Sequence, residues 1–158
     1  MQPLKEDKEW NMSDFGTGFR ISSSGMAAQR MRMNTISSNM ANINTTRTPE
    51  GGAYRRKDVV LESMPETKNF GEILGVNSPR ADMQRVQVTD IISDRRAPLL
   101  KYEPDHPDAN AEGYVAYPNI NMMEEMTNMI QATRAYEANV QTFQASKDMA
   151  LSSLEIGR

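Results

Sequence analysis

The sequence predicts an α+β protein: two long helices, one at each end of the chain, pair in a coiled-coil-like manner around a small β-rich middle region. Three observations predict this. From Phe15 to Ile43, alternating steps of four and three residues run Phe15, Phe19, Ser22, Met26, Gln29, Met33, Ile36, Met40 and Ile43; seven of these nine are apolar, which is one face of a helix. A second register runs Met122, Met126, Met129, Thr133, Tyr136, Val140, Phe143, Lys147, Ala150 and Leu154, and eight of its ten positions are apolar. Between the two, prolines and glycines separate short runs rich in β-branched and aromatic residues. A helix with one apolar stripe cannot bury it alone, so each arm needs a partner, either the other arm or an arm of another copy.

The elements follow in chain order. Residues 1–12 are polar, contain the only tryptophan, Trp10, and are expected to be a disordered leader. The N-terminal helical arm spans 13–44, with Ser13 as its cap and Asp14 near its positive end. Inside it lies Ser22-Ser23-Ser24-Gly25. A glycine within a helix costs about 1 kcal/mol relative to alanine. Gly25 is therefore either a tolerated defect or a smooth patch where another helix comes close. The helix should fail between Asn42 and Thr46, where Asn42, Asn44 and two threonines precede Pro49 and Gly51-Gly52. The middle segment, 45–117, carries strand-like runs at Tyr54–Leu61, Arg85–Ile92, Leu99–Tyr102 and Tyr114–Tyr117, read as a small antiparallel sheet or two hairpins. The C-terminal arm spans 118–158. Asn121 is its N-cap, Glu124 stands in a capping-box position, Glu124 and Glu125 suit the helix dipole, and Gly157 is a stop.

Composition narrows the function. At about 1.5 Å per residue each arm would be roughly 45–55 Å long, which suits an elongated subunit. The net charge of −3 argues against nucleic acid or an anionic membrane as partner. No run approaches the apolar length of a membrane-spanning helix, and the mixed charges of the first residues do not resemble a cleaved signal peptide. The first arm carries Arg20, Arg30 and Arg32 against Asp14; the second carries Arg134, Lys147 and Arg158 against Glu124, Glu125, Glu137, Asp148 and Glu155. These opposite balances favour pairing modestly. There is no cysteine, which excludes disulfides and thiolate chemistry. Methionine is abundant in the arms, where its flexible side chain fills ordinary helix core or adapts to several similar interfaces.

No catalytic constellation emerges, and neither a cofactor nor a metal site is expected. The single histidine, His106, sits in Asp105-His106-Pro107-Asp108, better read as a solvated turn than as a metal site. Ser22–Ser24 lacks the context of a nucleophile turn. Gly16-x-Gly18 is too short for a dinucleotide fingerprint, and Gly51-Gly52 has no following Lys-Ser/Thr. The adjacent Glu124 and Glu125 diverge on a helix and are read as a dipole-favoured surface.

Two stretches do carry a resemblance. SSSGMAAQRMRMNTISSNMANINTTRTPEGGAYRRK, residues 22–57, resembles the N-terminal signature of the flagellar rod and hook axial protein family, in particular its proximal rod subunits. GYVAYPNINMMEEMTNMIQATRAYEANVQTFQASKDMALSSLEIGR, residues 113–158, resembles the C-terminal half of the same subunits. The likeness runs from Met12 to Arg158. It implies a structural subunit, not an enzyme, that polymerises through its terminal helices into the helical shaft carrying torque from the membrane ring to the hook. It implies export through the flagellar type III apparatus without a cleaved signal, and a place in the periplasmic rod of the basal body. The implied partners are other copies, other rod subunits, the ring-to-rod adaptor and the membrane ring, with no nucleic acid and no direct membrane insertion.

The implied assembly interface takes Phe15, Phe19, Gly25, Met26, Met33, Ile36 and Met40 on the first arm, with Asn39, Asn42 and Asn44 at its end. On the second arm it takes Met122, Met126, Met129, Tyr136, Val140, Phe143 and Leu154. The alternative reading is a coiled-coil adaptor or export-apparatus partner that does not polymerise; it would form a closed complex, whereas a rod subunit forms ordered multi-copy stacks.

Overall fold

In the computed structural model, residues 12–65 and 84–156 are described. Of the leader expected at 1–12, residues 1–11 lie outside them, whereas Met12 begins the first helix; the stop at Gly157 also lies outside, as do the side chains of Ser13, Asp14 and Phe15. The element order is α1 (Met12–Ala41), β1 (Lys57–Pro65), β2 (Gln84–Ser93), β3 (Leu99–Tyr102), β4 (Tyr114–Tyr117) and α2 (Met122–Ile156). The class is α+β. No described helix is long and apolar enough to cross a membrane.

The helices lie antiparallel against each other. Gly18 faces Ser146, Gly25 faces Asn139, Met33 accepts a hydrogen bond from the Thr133 hydroxyl, and Asn39 meets Glu125. The Phe19 and Phe143 rings meet edge to face, their centroids 4.9 Å apart. Every described member of the predicted α1 register is buried or half-buried, while Arg20, Ser23, Ala27, Arg30, Asn34 and Ser37 lie on the exposed side. The α2 register is less clean. Met129, Tyr136, Val140 and Phe143 are half-buried, but Met122, Met126, Lys147 and Leu154 are exposed. Its inward row includes Glu125, Ala132, Asn139 and Ser146, small or polar residues seven apart that an apolar count passes over.

Helix ends follow local chemistry. α1 stops at Ala41, where the Ser38 carbonyl accepts both the Asn42 backbone N–H at 3.1 Å and the Asn42 side-chain amide at 2.8 Å, which ties the last turn. α2 starts under Asn121, whose Oδ1 accepts the Met123 N–H at 3.0 Å. The reciprocal half of the expected capping box does not form. Glu124 is exposed and makes no return bond to Asn121.

The strands form two separate antiparallel pairs, β1–β2 and β3–β4. β1 begins later than the predicted Tyr54, because Tyr54 and Arg56 are engaged elsewhere and pairing with β2 starts at Lys57↔Ser93. The register shifts between Val60 and Leu61, leaving Thr89 as an extra residue that bulges β2. This pair lies on α1, tied there by the Val86 N–H donating to Ser24 Oγ at 3.2 Å while Ser24 donates to the Ile21 carbonyl. Within the serine run, Ser22 is buried and Ser24 holds a strand; only Ser23 is exposed. In the second pair, Tyr102 and Tyr114 meet edge to face, and Glu103 bridges Lys101 and the Tyr117 hydroxyl. The Lys101 ammonium, then the hydroxyl, hold the Glu103 carboxyl below the usual range.

Candidate functional site

The deepest point of the described chain is polar. Its largest fully buried side chains are Glu125, Val115 and Asn39, so two of three must be satisfied by hydrogen bonds rather than by packing. The place is a junction of four pieces: the end of α1, the connection 42–56, the start of β1 and the first turn of α2.

Asn39 is the hub. Its Nδ2 donates to the Lys57 carbonyl at 2.8 Å and to Glu125 Oε2 at 3.1 Å. Its Oδ1 accepts the Lys57 N–H at 2.9 Å and the Tyr54 hydroxyl at 3.2 Å. The amide thus grips both backbone groups of Lys57, as a neighbouring strand would, and uses its full capacity of two donors and two lone pairs. A flipped amide would face donor to donor and acceptor to acceptor, so Lys57 fixes its orientation. Tyr54 reaches this position because the chain between Thr45 and Tyr54 turns back on itself: Tyr54 N–H bonds to the Thr45 carbonyl, and Thr48 N–H to that of Gly52. Gly51 and Gly52 make that turn with φ of +91° and +76°, a region that disfavours other residues.

Glu125 closes the junction from α2. Its Oε1 accepts Arg56 Nε at 2.7 Å, and Oε2 accepts Asn39. Arg56 is 14% exposed and also bonds to Asp58 at 3.2 Å. Burial opposes the charge on Arg56, but the hydrogen bonds to Glu125 and Asp58 outweigh it and hold the guanidinium pKa above its ordinary value. A second tie lies nearby, where Thr46 donates to Asp108 at 2.8 Å and Arg47 approaches the same carboxylate. That places the Asp105–Asp108 loop against the 42–56 connection. His106 there accepts the Asp108 N–H through Nδ1 and meets the Tyr117 ring.

Of the seventeen residues expected at an assembly interface, Phe15 lies outside the described side chains, and the other sixteen divide by place. Phe19, Met26, Met33, Ile36 and Met40 on α1 are buried or half-buried within the chain, as are Met129, Tyr136, Val140 and Phe143 on α2; Met122, Met126 and Leu154 remain open. Asn39 is the buried hub. An ideal Cβ on Gly25 would lie 2.9 Å from the Asn139 side-chain amide, so the helix that comes close there is the chain's own α2. Asn42 and Asn44 separate: Asn42 caps α1 and accepts the Thr45 hydroxyl, whereas Asn44 is exposed with no side-chain hydrogen bond to the described residues. Asn42→Ala is expected to lower stability by about 1 kcal/mol, and Asn44→Ala to stay within about 0.5 kcal/mol of the parent. Urea denaturation of the two single variants checks this; equal effects would refute it.

Sequence reasoning missed Glu125, Arg56 and Tyr54. Glu125 was read as helix surface, and neither Arg56 nor Tyr54 was singled out. The available signal was spacing, since Glu125 falls seven residues before Ala132 on the row that continues to Asn139 and Ser146.

The fold thus pairs two long helices across a buried polar junction. Residues 19–47 match the family described as Flagella basal body rod protein, and residues 111–156 match that described as Flagellar basal body rod FlgEFG protein C-terminal. The chain is 40% identical to the flagellar basal-body rod protein FlgC of Borreliella burgdorferi, over 89% of this chain and 95% of that protein. It is 42% identical to FlgC of Bacillus subtilis, over 87% of this chain and 95% of the relative, and 37% identical to FlgC of Escherichia coli, over 89% and 96%. This chain belongs to the FlgC family of flagellar basal-body rod proteins.

Proposed function

We propose that this chain is a structural subunit of the proximal rod of the bacterial flagellar basal body. It is not an enzyme; it builds, with other copies and other rod subunits, the shaft that carries torque from the membrane ring to the hook. The observation that carries this reading is likeness to FlgC proteins along about nine-tenths of the chain. Its antiparallel terminal helices act as a coiled-coil-like, elongated unit that stacks against neighbouring units. Met122, Met123, Met126 and Ile130 at one end of α2, and Met149, Leu151 and Leu154 at the other, are exposed and support a role as contact surfaces. Phe15, at the start of α1, belongs to the same proposed interface. The partners are the ring-to-rod adaptor, the membrane ring and, during export without a cleaved signal, the type III apparatus; the place is the periplasmic rod. Complementation of a strain lacking the subunit, scored by swimming and by images of isolated basal bodies, tests the reading. A closed complex of fixed small stoichiometry in place of a stacked rod would refute it.

The buried apolar side chains are few among the described residues: Ala28, Ile36, Val115, Ile120 and Ala132. Hydrophobic burial supplies most of the folding free energy, so a chain with so small an apolar core is marginal alone. In dilute monomer, α1 and α2 are therefore expected to exchange their amides measurably faster than in the assembled rod. Equal protection of both helices in a proven monomer and in the rod would contradict this.

A further inference from the structure

The junction has a property that its strength alone does not explain. On α1, Gly18, Gly25, Arg32 and Asn39 are seven residues apart; on α2, so are Ser146, Asn139, Ala132 and Glu125, running the other way. Gly18 faces Ser146, Gly25 faces Asn139 and Asn39 faces Glu125. This row of small and polar residues is largely indifferent to sliding by one repeat, although a slip would also part the Phe19 and Phe143 rings. Moved seven residues, α2 would set Ser146 or Ala132 against Gly25, and either is small enough to fit. The exception is the last pair. With Ala132 opposite Asn39, the Asn39 amide would lose its carboxylate and Arg56, which is only 14% exposed, would lose its buried partner and keep only the more exposed Asp58. A nearly buried guanidinium that loses its buried counter-charge is strongly disfavoured.

We propose that the Asn39–Glu125–Arg56 cluster is a register lock: it selects one alignment of α1 on α2 against alignments offset by a heptad. A buried polar group specifying register is a known use of such groups in paired helices. The lock has a consequence for assembly. A slip of seven residues displaces the exposed ends of α2 by about 10 Å along α1, so a slipped subunit offers its neighbours a misplaced surface. The inference concerns pairing within one chain and does not depend on the rod reading.

Because the chain has no cysteine, disulfide trapping reports register without background. Met33 and Thr133 touch in the observed alignment, their Sδ and Oγ1 atoms 3.6 Å apart. Met33→Cys with Thr133→Cys reports this register, and Met33→Cys with Val140→Cys reports the slip. The intramolecular bridge is read by gel mobility of the full chain. In the otherwise unaltered chain the first pair should bridge and the second should not. The decisive variant moves the carboxylate one repeat, Glu125→Ala with Ala132→Glu, and should raise the ratio of slipped to native bridge by about tenfold or more. If that variant does not fold, Glu125→Gln carries the test: it keeps the volume but removes the charge, and the slipped bridge should again rise. An unchanged ratio in whichever variant folds, or failure of the native pair to bridge in the unaltered chain, overturns the proposal.

Discussion

Glu125→Ala should be among the most damaging single substitutions in this protein, costing about 3–5 kcal/mol. The carboxylate is fully buried, and it is the acceptor for both Arg56 Nε at 2.7 Å and Asn39 Nδ2 at 3.1 Å. Its removal leaves a nearly buried guanidinium held only by the more exposed Asp58, and leaves one Asn39 donor unpaired. The penalty is that of orphaned groups, not the net worth of the ion pair, which is small once desolvation is counted. Small domains commonly have only about 5–15 kcal/mol of stability, so the loss should put much of the population in a loosened state. Asn39→Ala should cost less, about 1–3 kcal/mol, because Lys57 and Tyr54 lose partners but no charge is stranded. Replacing both charged members by apolar residues of similar volume, Arg56→Met with Glu125→Leu, should recover most of the stability lost by Glu125→Ala. Urea denaturation of the purified chain measures all three, and swimming of a complemented strain measures the consequence. A denaturation midpoint for Glu125→Ala equal to that of the parent would show that water reaches the junction and solvates Arg56.

Gly25→Leu is the second large effect. Leucine gains about 1 kcal/mol of helix propensity over glycine, which would be the whole result if Gly25 were an exposed defect. The Asn139 amide stands 2.9 Å from where even the Cβ would lie, and Asn139 is itself tied to the Ala135 carbonyl at 2.9 Å. A leucine must therefore force the helices apart or break that bond, at a cost typical of overpacking, about 1–3 kcal/mol and occasionally more. Parting also weakens the Phe19–Phe143 contact two turns away. The expected result is loss of stability in the soluble chain together with loss of swimming. Gly25→Ala should lie close to the parent, since the propensity gain offsets a rotation of one short side chain. Leucine at this position with raised helicity and wild-type swimming would show that the contact with Asn139 is loose.

How much was legible differs by element. The α1 stripe was clear because its inward positions are mostly apolar; none of its described members is exposed. The bounds of β3 and β4 were clear because Pro98, Glu103, Gly113 and Pro118 punctuate them. The α2 stripe was only half legible. Its inward row mixes Met129, Tyr136 and Phe143 with Glu125, Ala132, Asn139 and Ser146, and the latter look like surface to any measure of hydrophobicity. Met122 and Met126 are apolar and inviting, yet exposed, because α1 ends in the capped turn at Asn42 and the junction occupies the facing position.

By itself, the sequence determined the class of structure: two amphipathic helices at the chain ends, punctuated strands between them, and a rod-protein signature at both ends. Those properties are local, set by spacing, caps and turn residues within a few positions of one another. Tertiary structure alone decided which polar residues go inside. Asn39, Arg56 and Glu125 are separated by as many as 86 positions, and nothing in the neighbourhood of each marks it as buried. Burial of a charged residue is tolerable only where partners from other elements arrive together, and that coincidence belongs to the folded chain. The same holds for Gly25, whose meaning depended on which helix lay against it.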